Sequence, residues 1–407
     1  MVSFNVDAIF RYSTVNACDS DRTTMAVERL AIFVLTARVF MDCAWGSFAS
    51  ANDVVAALHF DVIARAIVLA LCMILLMKRP IRFSYFSLGL VFTGLAALVL
   101  SSVFALNSFL LVDLLVAVSV SFVHPRKLCR AYALALMLSL ALVMIASFLG
   151  LAPMVDVIPN GRLVFGYGIS HPNVLGGLLL SLACAQTYLF WESKQWRFAF
   201  GLSVAFAVFA KVSLSSNASA LLMAAVGFIN LIGHVLPRRI SLEPISARVR
   251  SLVLIGIPVL LILVMLYLVM HHDSSGILAD LADKATHARP LFASKYYEAN
   301  GGFTLFGRPF VSAPSYHNGA GFAAVDSSYA YFALVFGLVP LAVCIAAYAF
   351  CIIRAKKKAI HPFVIAVIIV YAVFALIEGL PMHLYSNVTF LLLPCLARTA
   401  SSDTEEC

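Results

Sequence analysis

Stretches of mostly apolar residues, many of them close to twenty residues long, alternate with short polar connections along nearly the whole chain. A helix of that length crosses the hydrocarbon core of a bilayer, because it rises about 1.5 Å per residue and the core is about 30 Å thick. The pattern predicts an all-α polytopic membrane protein, with a single integral membrane domain over residues 1–407. The twelve predicted membrane-spanning helices cover 28–48, 57–77, 84–105, 108–123, 129–151, 173–191, 196–212, 217–236, 251–270, 326–350, 361–380 and 384–399.

The polar connection between the ninth and tenth predicted helices is far longer than the others and covers residues 271–325. Connections longer than about fifteen residues are commonly functional or disordered. Leucine and aromatic side chains along this loop favour packing on the helix bundle, and residues 277–288 have the apolar spacing of a helix. We expect a partly helical lid that rests on the membrane surface.

Composition and charge support a membrane protein and predict its orientation. With 62% hydrophobic and 12% charged residues, the chain has more apolar surface than a soluble domain can bury. Cytoplasmic loops retain Lys and Arg, and alternate connections of this chain are rich in both. The basic connections hold Lys78, Arg79, Arg82, Arg126, Lys127, Arg130, Lys194, Arg197, Arg238, Arg239, Arg248, Arg250, Arg354, Lys356, Lys357 and Lys358. Both termini are therefore predicted to be cytoplasmic, and the long loop extracytoplasmic.

The distribution of charged residues and cysteines along the chain also bears on partners and cofactors. The net charge of +8 is explained by the basic cytoplasmic loops and their contact with anionic headgroups of the bilayer, so nucleic acid is not a predicted partner. The nine cysteines fall in predicted helices, at their boundaries or in the terminal tails, and none lies in an outer loop. No Cys or His spacing is typical of zinc, so the sequence predicts neither disulfides nor a metal site.

The connection between the fifth and sixth predicted helices is the first candidate phosphate site. Pro172 suits the first position of a helix, where its missing N–H costs nothing, and Ser170 or His171 would then cap that helix. A helix N-terminus offers unpaired N–H groups and partial positive charge to a phosphate, and Arg162 would add a bidentate contact. In the alternative interpretation the segment is a simple turn, and His171 only extends toward water.

The long loop holds the second set of candidates. Arg289 and Arg308 carry guanidinium groups that match phosphate geometry, although both could instead contact lipid headgroups. His317 and Asp326 are candidates for a general base. A lone loop histidine is commonly just solvated, and Asp326 could merely cap the tenth helix through the serines that follow it.

Several ionisable groups lie within or near the predicted membrane helices, where charge is costly and tends to be paired or functional. Arg38 and Asp42 are four residues apart and are expected to pair on one helical face. Other groups near the outer helix ends are candidates for lining an outward-facing cavity, namely Asp113, Lys211, Glu378 and His383.

Short motifs in a fixed order suggest a family. They are Arg162…Gly166-x-Gly168-x-x-His171-Pro-Asn173, then Arg289 early in the long loop, then Leu305-Phe-Gly307, and finally Asp326-x-x-Tyr329…Gly337. Together they cover about a quarter of the chain. Their order and spacing resemble those of Wzy-type O-antigen and capsular polysaccharide polymerases, and more distantly those of O-antigen ligases in the same superfamily. Hydropathy and loop layout extend the resemblance over the whole chain.

The resemblance implies a glycosyltransferase on the outer face of the cytoplasmic membrane. Such enzymes join undecaprenyl-diphosphate-linked oligosaccharide repeat units into capsule, exopolysaccharide or other cell envelope glycan, and they use neither a metal nor a nucleotide sugar. A flippase and a chain-length regulator are the protein partners it suggests. By the resemblance the diphosphate maps to Arg162 and Arg289, with Arg308 and His171 as further candidates. Asp326 or His317 is the expected base, and the supporting residues are Asn173, Tyr329, Lys211 and Glu378.

The chain also departs from the family. Ligases carry a His-Asn pair at the start of the helix after the long loop, whereas His317 and Asn318 lie upstream here and Asp326 takes that position, which favours a polymerase. Relatives often have an arginine in the turn between the seventh and eighth helices, where the nearest cation here is Lys211. Two alternatives remain: ligase-type transfer of glycan to a lipid or protein acceptor, and a flippase or transporter of lipid-linked saccharides. A transporter would be expected to have a charged central path and repeated halves.

Overall fold

The computed structural model describes residues 17–45, 60–78, 85–157, 163–169, 171–235, 247–274, 276–286, 288–309, 325–355 and 361–402. Within these residues the regular structure is helical except for one short hairpin, so the all-α prediction is confirmed apart from that hairpin. Arg162, His287, His317 and Ser170 lie outside the described residues.

The N-terminal half contains the following elements. The first five helices are α1 (Ala17–Phe40, continued by a π-helical turn over Met41–Trp45), α2 (Phe60–Lys78), α3 (Tyr85–Phe104), α4 (Phe109–Val120) and α5 (Pro125–Phe148). An antiparallel hairpin of β1 (Val155–Val157) and β2 (Leu163–Phe165) leads into the next group. That group comprises α6 (Pro172–Phe190), α7 (Trp196–Val212) and α8 (Asn217–Val235).

The C-terminal half begins with the helix that precedes the long connection. It comprises α9 (Ala247–Met270), a 3-10 turn (His272–Ser274), α10 (Ile277–Thr286), α11 (Arg289–Ala299), α12 (Ser328–Val335), α13 (Leu338–Arg354), α14 (Pro362–Ile377), two 3-10 turns (Leu380–Met382 and Leu384–Ser386) and α15 (Thr389–Ser402). Each of the twelve predicted apolar segments overlaps at least one helix. Residues 277–286 of the long connection are helical, as their apolar spacing predicts.

Five helices of the described chain are long and apolar enough to cross a membrane, which makes this a membrane protein by length and composition. They are Phe60–Lys78, Pro125–Phe148, Pro172–Phe190, Asn217–Val235 and Val249–Met270. Shorter apolar helices accompany them, such as Phe109–Val120 and Pro362–Ile377. Large apolar side chains on their outer surfaces, including Met77, Phe92 and Leu221, are exposed, as expected for helices that face lipid.

The tenth predicted helix is broken into α12 and α13, which the sequence pattern did not indicate. The break is at Gly337, whose φ of 92° is accessible to glycine but strained for other residues. The amide of Leu338 donates to the carbonyl of Thr304 at 2.9 Å, and the amide of Arg308 donates to the carbonyl of Val335 at 3.0 Å. A segment of the long connection therefore satisfies backbone groups that a continuous helix would have paired internally.

Helix α6 lies at the centre of the bundle. Most of its residues are buried, and it packs against α5, α7 and α8. Tyr132 and Leu136 of α5 and Leu178 and Leu180 of α6 are among the fully buried side chains of the main hydrophobic core. This packing fixes the position of α6, and with it the N-terminus, where Pro172 is buried and Asn173 is half-buried.

Candidate functional site

Arg289, the first residue of α11, contacts two carboxylates from different helices. Its Nη1 pairs with Oδ2 of Asp326, the residue two positions before α12. Its Nη2 lies 3.3 Å from Oε1 of Glu378, which directly follows the last residue of α14. We name Arg289, Asp326, Glu378 and the neighbouring Asn173 the arginine–carboxylate cluster.

Asn173 brings the N-terminus of α6 to this cluster. Its Nδ2 donates to Oε1 of Glu378 at 3.0 Å. Pro172 occupies the first helical position, and Nδ1 of His171 accepts the amide of Asn173 at 3.2 Å, so His171 caps α6. The capping role predicted for Ser170 or His171 is therefore carried by His171, and the imidazole is engaged with its own helix.

Asp326 is not the cap of the helix that follows it, so that alternative interpretation is wrong. Ser327 is the N-cap of α12, and its Oγ accepts the amide of Ala330 at 3.5 Å. Ser328 donates its amide and its hydroxyl to the main-chain carbonyl of Glu378, at 3.1 Å and 2.6 Å. Because the serines satisfy the helix start, the Asp326 carboxylate is left to Arg289.

The cluster is largely shielded from water. The side chains of Arg289, Asp326 and Glu378 are 13%, 18% and 7% exposed. Burial raises the pKa of Glu378 to about 7, and the positive charge of Arg289 opposes that rise. Burial lowers the pKa of Arg289, which Glu378 in turn raises, and arginine stays charged. With both carboxylates ionised the cluster has one excess negative charge, so protonation of Glu378 near neutral pH would balance it.

Arg289 also keeps one donor free within the described part of the chain. Its Nε is buried and makes no hydrogen bond there. A buried N–H without a partner is costly, and it would be satisfied by an acceptor oxygen brought by a ligand. The guanidinium is therefore suited to bind an additional anionic oxygen.

Three other predicted residues lie apart from the cluster. Tyr329 donates its hydroxyl to the carbonyl of Ala372 at 2.8 Å, which ties α12 to α14. Arg308 donates through Nη2 to the carbonyl of Gly302 at 2.8 Å, within its own loop. Lys211 is exposed at the end of α7, and its Nζ lies 2.7 Å from Oδ1 of Asn217. No contact joins these three to Arg289 among the described residues. Arg162 and His317 lie outside that part of the chain.

A second buried charged group lies among the N-terminal helices. The predicted pair of Arg38 and Asp42 is confirmed, with Nη1 and Oδ1 2.7 Å apart. The expectation that Asp113 lines an outward cavity is wrong, because Asp113 is fully buried and its Oδ1 lies 2.7 Å from Nη2 of Arg38. A buried guanidinium needs several acceptors, and a single carboxylate at i+4 does not supply them.

All four members of the arginine–carboxylate cluster are named separately by the sequence, but their contacts are not predicted by it. The sequence indicates a special role for Glu378, since it is a carboxylate at the end of an otherwise apolar helix. Asn173 is named through the family resemblance, in the motif that ends His171-Pro-Asn173. Within the described residues, no three His, Cys, Asp or Glu side chains are grouped to hold a metal ion.

Comparison with known proteins gave no match to this chain: no family model, no curated protein and no solved structure is similar to it at a significant level.

Proposed function

We propose that this protein is a membrane glycosyltransferase that joins undecaprenyl-diphosphate-linked oligosaccharide repeat units on the outer face of the cytoplasmic membrane. The observation that carries the proposal is the convergence of Arg289, Asp326, Glu378 and Asn173 at the ends of four helices in a membrane protein. A guanidinium suits the diphosphate, a carboxylate can take a proton, and the apolar helices can accommodate a lipid carrier.

The proposed topology has twelve membrane-spanning helices with both termini in the cytoplasm. In this arrangement α6 and α12 begin on the outer side, α14 ends there, and α11 belongs to the outer loop. The contacts among Asn173, Arg289, Asp326 and Glu378 require these four helix ends to share one side, which supports the predicted alternation. The basic connections then all face the cytoplasm.

The proposed reaction is displacement at the anomeric carbon of the donor sugar. A hydroxyl oxygen of the acceptor repeat unit forms the new glycosidic bond, while the bond from the anomeric carbon to the diphosphate oxygen breaks. The undecaprenyl diphosphate leaves with the bonding electron pair, and Arg289 stabilises the charge that develops on it. The acceptor proton passes to a carboxylate, so no metal or nucleotide sugar is required.

Asp326 is the proposed base, and its pairing with Arg289 keeps it inactive until the donor binds. Without donor, the guanidinium holds the carboxylate and weakens it as a base. When the donor diphosphate binds Arg289, it competes with Asp326 for the same N–H groups. The released carboxylate can then accept the hydroxyl proton of the acceptor, so base activation follows donor binding.

An apolar groove between two helices of the long-loop region supports a lipid-borne donor. It has a volume of about 520 Å³ and lies between α9 and α10, with lining residues such as Leu263, Tyr267 and Leu278. Helix α10 exposes its apolar side chains and is held by Asp283, whose carboxylate accepts the amide of Leu291 in α11 at 3.3 Å. A prenyl chain in this groove would lie close to the helix that begins at Arg289.

The test compares cells that lack the protein with cells that carry the wild type, Arg289→Ala or Lys295→Ala. Lys295 is the matched control, because it lies on the same helix and its Nζ is 3.5 Å from Glu298 rather than in the cluster. Gel analysis of lipid-linked glycan should show single repeat units without the protein and with Arg289→Ala, and full-length polymer with Lys295→Ala.

Other outcomes would identify other functions. Full-length polymer that accumulates on its carrier lipid without transfer would indicate a ligase. Repeat units retained on the cytoplasmic face would indicate a flippase. Polymer of normal length from Arg289→Ala would remove that residue from the site.

A further inference from the structure

The segment 378–388, between α14 and α15, is buried although it forms only two short 3-10 turns. Leu380, Met382 and Leu384 are all buried. Backbone groups in such a segment need defined partners, because neither a regular helix nor water satisfies them. The partners of this segment therefore decide its position.

One partner is a buried ion pair on the N-terminal helices. The amide of Leu384 donates to Oδ2 of Asp113 at 2.9 Å, across 271 positions of sequence. The other oxygen of Asp113 is held by Arg38, through Nε at 2.8 Å and Nη2 at 2.7 Å. Arg38 thereby fixes the carboxylate so that one oxygen faces Leu384.

Helix α4 makes a second contact with the segment 378–388. The ring of His383 stacks on Phe109 of α4, with centroids 4.1 Å apart and planes 28° apart. Phe109 is one turn from Asp113, so two adjacent residues of the segment meet one face of α4. The segment is thus held in both position and orientation.

The other end of the segment belongs to the arginine–carboxylate cluster. The amide of His383 donates to the carbonyl of Leu380 at 3.0 Å, which keeps the path from Leu384 to Glu378 short and compact. The main-chain carbonyl of Glu378 accepts two hydrogen bonds from Ser328, and its side chain reaches Arg289. A shift at Leu384 would therefore move Glu378.

We propose that the buried Arg38–Asp113 pair is a positioning group: it fixes the backbone at Leu384 and thereby the placement of Glu378 against Arg289. Two buried charges are expensive to desolvate, and an apolar pair of similar volume would often give equal stability. What an apolar pair cannot supply is an acceptor for the Leu384 amide. The expected effect on catalysis rests on the proposed function, whereas the expected effect on the position of the segment 378–388 does not.

The test uses two double variants that differ in this acceptor. Arg38→Met with Asp113→Leu removes both the ion pair and the acceptor; it also removes the partner of Asp42, a loss that both double variants share. Arg38→Met with Asp113→Asn removes the ion pair but keeps an amide oxygen that can accept the Leu384 amide. Hydrogen–deuterium exchange of the purified proteins should be about tenfold or more faster over 378–388 and at Ser328 in the Leu variant than in the Asn variant. Exchange in α7 and α8 should be the same in both.

Activity provides the second readout. The Leu variant should lose about tenfold or more in kcat/KM for the lipid-linked donor, and the Asn variant should recover most of that loss. Equal exchange in the two variants would overturn the inference, whatever the activity. Faster exchange with unchanged kcat/KM would overturn its catalytic part. If the Leu variant exchanges faster than the Asn variant but the wild type itself has no polymerase activity, only the proposed function is refuted.

A second pair covers the case in which the double variants do not fold. Leu384→Pro removes the amide donor at the start of a 3-10 turn, where proline fits, and Leu384→Ala keeps the donor while shortening the same buried side chain. Faster exchange at Ser328 in the Pro variant than in the Ala variant is expected. Equal exchange would again contradict the positioning role.

Discussion

At the scale of single residues, the unusual feature is one guanidinium between two carboxylates. Arg289 contacts Asp326 and Glu378 in a site that is mostly shielded from water. Such a cluster repels an anion while both carboxylates are ionised, and it becomes receptive when one of them is protonated or displaced. Since the pKa of Glu378 is raised to about 7 by burial, protonation of Glu378 is the less costly route.

Donor affinity should therefore depend on pH through Glu378. Below its pKa of about 7 Glu378 is neutral and the diphosphate binds well; above it the carboxylate charges, and affinity falls by up to about tenfold per pH unit. Glu378→Gln keeps an acceptor for Asn173 and Arg289 but cannot ionise, so its affinity should be nearly independent of pH in this range. Titration of sugar-linked undecaprenyl diphosphate, whose doubly substituted diphosphate does not titrate near neutral pH, into the purified proteins measures the pH dependence of affinity for both.

The control for this prediction is Lys295→Ala, which should keep the slope of the wild type. An equal slope in the wild type and in Glu378→Gln would show that another group takes up the proton. The sequence indicated that Glu378 is unusual for its place at the end of an apolar helix. Its pKa depends on burial by residues far away in the chain, which no local pattern records.

At the scale of elements, the break between α12 and α13 joins the long loop to the bundle. The backbone of residues 304–308 pairs with the ends of both helices, and Gly307 and Gly337 lie in direct contact there. Both glycines have positive φ values, 86° and 92°. The sequence predicted one helix over 326–350, because apolar periodicity continues across Gly337 and does not reveal a competing partner for its backbone.

Substitution of Gly337 by Ala should therefore release the loop. A Cβ there would overlap the backbone of Gly307, and the φ of 92° is strained for any L side chain, at about 1–3 kcal/mol. Limited proteolysis within residues 300–325 should be faster, and the free energy of unfolding lower. Gly256→Ala is the matched control: no atom lies within 4 Å of its Cβ position in α9, so that variant should be neutral or slightly stabilised. Identical proteolysis of the two variants would argue against a docked loop.

At the scale of the whole molecule, long-range contacts test the proposed topology. Helix ends that meet must lie on one side of the membrane, and Asn173 and Glu378, 205 positions apart, are joined by a hydrogen bond. The same holds for Asp113 and Leu384, 271 positions apart. These contacts place the joined helix ends on a common side, and which side faces the cytoplasm stays a prediction from the charged loops.

The topology predicts opposite accessibility for two surface lysines. Lys295→Cys, in the outer loop, should react with a membrane-impermeant maleimide in intact cells, whereas Lys78→Cys, at the cytoplasmic end of α2, should react only after the cells are opened. The seven cysteines from Cys43 to Cys395 are buried or half-buried, and the wild type provides the background for labelling. Reaction of Lys78→Cys in intact cells would contradict the proposed orientation.

Local patterns in the sequence are enough to predict the class of protein, the approximate positions of most helices and the polar residues at their ends. Those properties are local: hydrophobic length, apolar spacing and the position of Pro172 before Asn173 act within a few turns of helix. Three features follow from the three-dimensional packing alone: which helix ends meet, the sharing of Arg289 by two carboxylates, and the burial of Asp113 against Arg38. These features depend on how distant helices pack around α6. The free energy of that packing is distributed over many residues, so no local sequence pattern reveals it.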